Sequence, residues 1–479
     1  MATDKDIIVA IELGSSSIRG IAGRKDVDGS LQILDVVERK SKNCIRKGVI
    51  YNLDKTIQAL NGIFIQLRED LNVYINKAYV GIAGQSLCTI RNSASKQMAT
   101  KVVISNDIID SLRDSNYNIN YPDKVILDVK SQEYRIGTNY VTEPVGILSN
   151  QIEGRFLNIV IRSSVKENIQ KCFDAVGVQI IDMYIAPLAL SDNILTDNEK
   201  RSGCALVDFG AETTTVSIYK NNILRYLSVI PLGGNNLTLD ICSKQVEEEE
   251  AEELKIKYGT AFSDMSREVV RHIPLSFDPG TTIAEDALQE ITEARMEEII
   301  ANVWEQIQQS GYADKLLSGI VITGGAANIP NIEKAISHKT KSDKIKFAKS
   351  LQTMIKPGNY ANVIQEMNSN TLISLLACGE CDCTDVDPNE IERMRLEEEE
   401  NRRRKQEEEE ERKRQILEEQ KRQEELAAQT EKASKQQNET SKKEDDEEEE
   451  EEDKNKGGFM KSLKSKISKL TKMFTETEE

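Results

Sequence analysis

The stretches IIVAIELGSSSIRGIAG at residues 7–23 and CALVDFGAETTTVSIYK at residues 204–220 decide the fold, because they repeat one pattern. Each reads as an apolar strand, an acidic residue, a glycine, a cluster of hydroxyl residues and a second strand. A repeat of this kind, about 200 residues apart, predicts two related lobes that face each other.

Each turn between the paired strands predicts a hairpin tip whose backbone N–H groups and hydroxyls wrap a phosphate chain. The carboxylates of Glu12 and Asp208 are placed there to hold hydrated magnesium. A third element, GIVITGGAANIP at residues 319–330, predicts a strand ending at Thr323, glycines that admit a ligand, and a helix beginning near Asn331. Each element alone is compatible with a tight turn that binds nothing, but all three in this order favour a nucleotide site.

Residues 1 to about 380 alternate β-branched apolar runs with amphipathic stretches, which is typical of an α/β fold. The predicted strands are Ile7–Glu12, Ile18–Ala22, Lys77–Ile82, Leu157–Arg162, Cys204–Phe209, Thr215–Lys220 and Gly319–Thr323. The predicted helices are Leu53–Leu71, Ser164–Gly177, Gly233–Cys242, Val246–Tyr258 and Ile283–Ser310.

The composition changes after residue 383. Residues 390–426 are almost all Glu, Arg, Lys and Gln, and alternating charge blocks at i, i+4 spacing favour an isolated helix there. Residues 427–456 are polar and then strongly acidic, which predicts disorder. The acidic run at residues 444–453 accounts for much of the net charge of -18. It either competes with lipid for the following lysines or only keeps the tether soluble.

A short basic amphipathic helix is predicted at the C-terminal end. Its apolar stripe follows steps of three and four residues, with lysines on both flanks, and its proposed membrane contacts are Phe459, Met460, Leu463, Lys464, Ile467, Leu470 and Phe474. Such a helix lies flat on anionic lipid, although a solvated helix or a helix that binds a partner protein has the same pattern.

The other bulk properties restrict the function classes. No apolar run reaches the length of about 18 residues that spans a bilayer, and the absence of a signal-peptide pattern together with scattered cysteines predicts a reducing cytosol. The cluster Cys378, Cys381 and Cys383 lacks a fourth zinc ligand at a matching spacing. No basic face emerges for nucleic acid.

The three glycine-containing elements resemble the phosphate and adenosine loops of the actin superfamily of ATP-binding proteins. That resemblance implies ATP and magnesium as cofactors, with Glu12 and Asp208 reaching magnesium through water. It also implies nucleotide contacts from Gly14, Ser15, Ser16, Ser17, Asp208, Gly210, Thr213, Thr214, Gly233, Gly234, Gly324, Gly325 and Ala326. In AEELKIKYG, Glu252 and Lys255 are similar to a pair that reaches the adenosine in MreB; the alternative is a surface ion pair.

Within the superfamily, residues 5 to 380 resemble the FtsA family of bacterial cell-division actins. KGVIYNLDKTIQAL at 47–60, KAYVGIAGQSL at 77–87 and DFGAETTTVSIYKNNILRYLSVIPLGG at 208–234 carry the resemblance. It implies a two-lobed actin-like ATPase fold with an FtsA-type inserted subdomain, a disordered or helical charged linker and an amphipathic helix. The expected ranges are 5–83, 164–202 and 351–383 for the first lobe, 84–163 for the insert, 203–245 and 313–350 for the second lobe, 246–312 for its smaller subdomain, 384–456 for the linker and 457–475 for the membrane helix.

The same resemblance implies a division scaffold on the cytoplasmic face of the membrane at the septum, which polymerises and binds anionic lipid, other division proteins and the C-terminal peptide of FtsZ. Arg295 is the candidate contact for that acidic peptide, or else a solvated helix charge paired with Glu298 or a neighbouring acid. Relatives usually have Asp where this chain has Glu12, and APLALSDN offers only Ser191 and Asp192 near the expected attacking water, so we expect at most slow hydrolysis. The alternatives are a small-molecule kinase or phosphatase of the superfamily, or a pilus-assembly relative.

Overall fold

The computed structural model describes residues 6–263, 271–275, 282–348, 351–366, 369–384, 400 and 402–423. The chain divides into two units, Met1–Asp387 and Pro388–Glu479. Within the described residues, none of the helices combines the length and the apolar character of a bilayer-spanning segment.

The first lobe is built on a six-stranded sheet in the order β11-β6-β1-β2-β3-β19. Helix α1 packs on this sheet because its apolar residues Leu60, Ile63, Phe64 and Leu67 recur every three or four positions and are buried. The Asn52 side chain caps α1 by accepting from the Lys55 N–H at 3.0 Å. The opening elements of the lobe are β1 Ile8–Leu13, β2 Ser17–Lys25, β3 Leu31–Lys40, β4 Ile45–Arg46, β5 Val49–Ile50, α1 Leu53–Leu71 and β6 Lys77–Ile82.

An insert follows β6. It has its own small core, which includes Ile104, Leu112 and Phe156, and β10 lies between β7 and β8 in antiparallel register. The insert consists of β7 Cys88–Val103, α2 Asn106–Tyr117, β8 Lys124–Ile136, β9 Asn139–Val141 and β10 Leu148–Arg162. The chain then returns to the first lobe through α3 Ser163–Ala175, β11 Gln179–Ile185, α4 Ala186–Ile194 and α5 Asp197–Ser202.

The second lobe repeats the plan of the first. Strand β12 pairs antiparallel with β13 and parallel with β17, as β1 does with β2 and β6. The lobe contains β12 Cys204–Phe209, β13 Thr214–Lys220, β14 Ile223–Ile230, α6 Gly234–Cys242, α7 Glu248–Tyr258, β15 His272–Pro274, β16 Thr282–Ala284, α8 Glu285–Ser310, β17 Ile320–Thr323, α9 Ile332–Thr340 and β18 Ile345–Phe347. The return to the first lobe adds β19 Ile355–Lys356, α10 Ala361–Glu366 and α11 Asn370–Cys378.

The strands and helices predicted from the sequence are all present, with ends that differ by a few residues. The main difference is Leu157–Arg162, which is the last part of the longer strand β10. In the second unit, residues 402–423 are helical and every one of them is exposed. Ion pairs at i, i+4 spacing join Arg403 to Glu407 and Glu409 to Lys413.

Candidate nucleotide site

The two hairpin turns have the same local geometry. The Gly14 N–H donates to the Ser17 carbonyl at 3.1 Å, and the Gly210 N–H donates to the Thr213 carbonyl at 2.8 Å. A Cβ atom on Gly14 or Gly210 would lie 2.7 or 2.8 Å from these same oxygens. Both turns therefore require glycine, which explains why the repeat preserves it at the same place.

The turns open into a cleft of about 600 Å³. Most predicted nucleotide contacts line it, namely Glu12, Gly14, Ser15, Ser16, Asp208, Gly210, Thr213, Gly234, Glu252, Lys255, Gly324, Gly325 and Ala326. Three others do not: Ser17 is buried at the start of β2, Thr214 Oγ1 donates to the Leu232 carbonyl at 2.9 Å, and the Gly233 N–H donates to Asn236 Oδ1 at 2.9 Å. Ser17 and Thr214 are the first residues of strands, so their side chains follow the alternation of the sheet.

The acidic residues of the two turns differ in their cross-strand neighbours. Glu12 lies opposite Arg19, whereas Asp208 lies opposite Thr215. Glu12 Oε2 and Arg19 Nε are 3.5 Å apart, and the two side chains are 17% and 14% exposed. Burial, and then the negative charge of Glu12, raise the pKa of Asp208 to about 6, while Arg19 lowers it. The Glu12 carboxylate therefore lies beside a cation, whereas Asp208 lies opposite an uncharged hydroxyl residue.

Replacing Asp208 with Asn is expected to stabilise the protein without ligands at pH 7.5 by about 2 to 3 kcal/mol. The folded-state pKa of about 6 lies above the ordinary 3.8, so the ionised carboxylate costs folding free energy above pH 6, and each pKa unit corresponds to about 1.4 kcal/mol. That cost disappears as the pH falls toward 3.8. Unfolding in denaturant can be measured through the fluorescence of Trp304, the single tryptophan, which packs against the second-lobe core.

The exposed Asp110 on α2 provides the control. Asp110→Asn should leave the free energy of unfolding nearly unchanged at both pH values. A stability gain in Asp208→Asn that is equally large at pH 7.5 and pH 4 would contradict the buried-charge explanation.

The other end of the cleft carries an interlocked polar cluster. Lys255 Nζ donates to Glu252 Oε2 at 2.6 Å, to Thr238 Oγ1 at 3.0 Å and to the Gly234 carbonyl at 3.3 Å. Lys255 is only 14% exposed, while Glu252 is 44% exposed. The pair is thus part of the cleft wall, since it is anchored to the first turn of α6.

Several lining residues were not predicted from the sequence. They are Leu13, Arg19, Gly48, Gly81, Ala83, Gly84, Ala186, Pro187, Ala211, Thr215, Asn235, Leu237, Ile256, Thr323, Asn328, Ile329, Pro330, Asn370 and Thr371. Arg19 and Thr215 occupy equivalent positions in the two repeats, and only the strand register shows that they lie opposite Glu12 and Asp208. Gly48 and Gly84 meet only through folding: a Cβ on Gly84 would lie 2.6 Å from the Gly48 carbonyl oxygen.

The residues expected near an attacking water have other partners. Ser191 Oγ donates to the Pro187 carbonyl at 2.6 Å, and Asp192 accepts from Lys200 Nζ at 2.6 Å. The part of α4 that lines the cleft is Ala186 and Pro187, which have no polar side-chain atom. This part of the wall therefore offers no side-chain group that could orient a water.

The chemistry of the cleft fits a magnesium nucleotide. Glu12 Oε2 is buried and accepts no hydrogen bond from the described residues, although Arg19 Nε lies 3.5 Å away. A ligand that bonds to this oxygen would therefore complete the site. Two backbone turns supply N–H groups for phosphate, and hydrated magnesium needs only one or two protein carboxylates. No group of three or more His, Cys, Asp or Glu that could hold a metal directly occurs in the described ranges.

The remaining predicted residues lie away from the cleft. Arg295 on α8 forms a two-pronged ion pair with Asp240, at 2.6 and 2.9 Å, and also contacts Glu298. Arg295 is therefore a paired charge in the structure, which is the alternative that the sequence left open. Cys383 is buried, and its Sγ accepts from the Val9 N–H at 3.2 Å. The predicted membrane residues, from Phe459 to Phe474, lie outside the described residues.

Comparisons with known proteins identify one family. The family model described as Cell division protein FtsA matches residues 205–371. Cell division protein FtsA of Porphyromonas gingivalis is 31% identical over 386 residues, which is 80% of this chain and 80% of the relative. FtsA of Pseudomonas aeruginosa is 28% identical over 67% of this chain and 78% of its own.

Among solved structures, a chain of the PilM-PilN type IV pilus biogenesis complex matches with a TM-score of 0.52 and 12% identity, covering 77% of this chain and 97% of that one. At this identity the likeness concerns the fold alone. The two-lobed actin-like fold predicted from the sequence is confirmed, while the linker and the C-terminal helix stay predictions.

Proposed function

Because the chain belongs to the FtsA family of cell division proteins, we propose that it is an ATP-binding scaffold that ties the FtsZ ring to the membrane. In this proposal it polymerises at the inner face of the cytoplasmic membrane at the division septum and recruits later division proteins. The observation that carries the proposal is the identity with a known cell division protein along most of both chains. The alternatives of a kinase, a phosphatase or a pilus-assembly protein have no such support.

The cleft supplies the nucleotide part of the mechanism. The turns at Gly14 and Gly210 would bind phosphates through backbone N–H groups, Arg19 would neutralise phosphate charge, and Glu252 with Lys255 would contact the adenosine. Asp208 and Glu12 would hold magnesium through water. ATP would supply the negative charge that the residues of both turns are placed to hold. The apolar wall at Ala186 and Pro187 supports slow turnover, because hydrolysis needs an oriented water.

The segment 41–51 supports coupling between nucleotide and lobe closure. The Gly48 N–H donates to Ser15 Oγ at 2.8 Å in the first turn, and the Lys47 N–H donates to Glu212 Oε2 at 2.6 Å in the second. Lys42 and Glu248 form an ion pair from the same segment to α7. A ligand that binds both turns more tightly when the lobes are closed shifts the population toward the closed conformation, which in this proposal is the one that polymerises.

The membrane part rests on the sequence pattern of residues 457–475. One amphipathic helix with flanking lysines gives reversible attachment, to which each lysine contributes about 1 kcal/mol near anionic lipid. Polymerisation places many such helices on one filament, so their combined binding is much stronger than that of one. A scaffold would therefore bind the membrane firmly only once it has assembled.

We expect Arg295→Glu to weaken the binding of an FtsZ C-terminal peptide by tenfold or more, because the substitution removes about one charged hydrogen-bonded contact. Asp240→Asn should have the opposite effect, because it removes one of the two carboxylates, Asp240 and Glu298, that compete for the Arg295 guanidinium. Fluorescence anisotropy of a labelled peptide gives both affinities. Lys171→Glu on α3, an exposed charge reversal in the first lobe, is the control; equal weakening in Lys171→Glu and Arg295→Glu would contradict a specific contact.

Reconstitution tests the whole proposal. Vesicles containing anionic lipid are mixed with the full chain, ATP, magnesium and FtsZ, then sedimented and viewed by electron microscopy. We expect FtsZ to sediment with vesicles only when this protein is present, and filaments to lie on the lipid. Rapid ATP consumption that requires a small-molecule acceptor, without filaments, would instead indicate a kinase.

A further inference from the structure

The insert does more than extend the first lobe, because it also closes an edge of the second. Cys88 at the start of β7 pairs with Ser228 of β14, so the insert continues the second-lobe sheet. Thr89 Oγ1 accepts from the Leu227 N–H at 3.1 Å and donates to the Leu227 carbonyl at 3.2 Å. A side-chain hydroxyl thus takes over backbone bonding that the strand edge would otherwise leave open.

Further contacts make this interface specific. Gln132 Nε2 on β8 donates to the Leu224 carbonyl at 3.0 Å, and its Oε1 accepts from Arg225 Nη1 at 3.1 Å. Arg225 is only 8% exposed, so losing Gln132 would leave a buried charged group short of a partner. Arg91 Nη2 also donates to the Ser310 carbonyl at the end of α8, at 2.7 Å.

A short path links this interface to the cleft. Gly84 lines the cleft and precedes Cys88 by four residues. Gly84 packs against Gly48, whose N–H bonds Ser15 in the first phosphate turn. The Leu87 N–H donates to the Gly84 carbonyl at 3.0 Å, which keeps the connecting segment compact.

We propose that the β7–β14 contact connects the two lobes in addition to segment 41–51, and that nucleotide in the cleft strengthens this contact through the Ser15, Gly48 and Gly84 contacts. The inference rests on the proposed nucleotide binding. Both ends of the insert join the first lobe, whereas β14 belongs to the second lobe. A change in the angle between the lobes must therefore strain or relax the β7–β14 contact. If bound nucleotide stabilises the β7–β14 contact by a certain factor, linkage requires that fixing this contact raises the nucleotide affinity by the same factor.

A disulfide across the interface tests this directly. Cα atoms of directly paired antiparallel residues lie about 4.5 to 5.5 Å apart, within the range for a disulfide, so Ser228→Cys provides a partner for the native Cys88. In the full-length variant we expect ATP to speed the cross-link between Cys88 and the introduced cysteine, scored by mass spectrometry, by roughly fivefold. The cross-linked form should bind a fluorescent ATP analogue about fivefold more tightly than the reduced form.

The double variant Ser228→Cys with Cys88→Ser accounts for the other cysteines and should show neither effect. Measurable, equal ATP affinity in the cross-linked and reduced forms would overturn the coupling while leaving the proposed function standing. Absence of ATP binding in every form would overturn both.

A substitution that weakens the interface without a cross-link gives a second test. Gln132→Ala is expected to lower ATP affinity several-fold and to speed hydrogen exchange of the β14 amides. Gln151→Ala is the matched control, since Gln151 is exposed on β10 of the same insert. Identical behaviour of these two variants in both measurements would overturn the coupling.

Discussion

Gly324→Ala is expected to abolish nucleotide binding and to lower the free energy of unfolding by about 3 to 5 kcal/mol. Gly324 follows β17 with φ of +95°, and a Cβ there would overlap the Phe209 carbonyl oxygen and Asp208 Oδ1. Relief would require moving the end of β12, which carries the second phosphate turn. The loss of binding should therefore accompany the loss of stability, measured by a fluorescent ATP analogue and by Trp304 emission in denaturant.

The neighbouring glycine offers the control. A Cβ on Gly325 would meet nothing within 4 Å, and its φ is not positive. Gly325→Ala should change the free energy of unfolding by less than about 1 kcal/mol. If the two variants were equally stable, the close approach of β17 to β12 would not be the reason for the glycine at 324.

Ile467→Asp is expected to abolish vesicle binding by the full chain while leaving ATP affinity unchanged. The residue lies in the predicted apolar stripe, and burying a side chain of this size is worth about 1.5 to 3 kcal/mol, whereas a carboxylate there adds both a desolvation cost and repulsion from anionic lipid. Co-sedimentation with vesicles containing anionic lipid, at low and high salt, measures the effect.

Ser465→Asp adds the same charge on the opposite side of the predicted helix, about 160° from Ile467 at 100° per residue. We expect it to weaken vesicle binding several-fold at low salt and little at high salt, because it removes no apolar contact. Equal loss in both variants at high salt would indicate that attachment is electrostatic and independent of helix orientation.

Local patterns were enough to predict the elements that hold the site. The strands flanking Glu12 and Asp208 are buried apolar runs that end at an acid and a glycine, and the repeat indicated how they relate. The apolar period of α1 gave its limits, from Leu53 to Leu71. These features depend on neighbours in sequence, so reading the chain locally captures them.

The insert contains a strand that local sequence patterns do not predict. Strand β7 runs for 16 residues, yet many of its side chains are polar and exposed, so no apolar alternation marks it. Its stability comes from pairing with β10, some 60 residues later, because strand preference depends on the partner strand more than on composition. Likewise, Arg19 reads as an ordinary strand residue until the register places it opposite Glu12.

The charged helix of residues 402–423 has a mechanical consequence. A flexible chain of 22 residues would span about 26 Å on average, with wide scatter, and the helix spans about 33 Å. The two lengths are similar, but the helix behaves as a stiff rod and the flexible chain as a soft spring. Because all its described side chains face water, intrahelical ion pairs such as Glu409–Lys413 support the rod, and salt screens them. Higher ionic strength is therefore expected to make this segment less stiff.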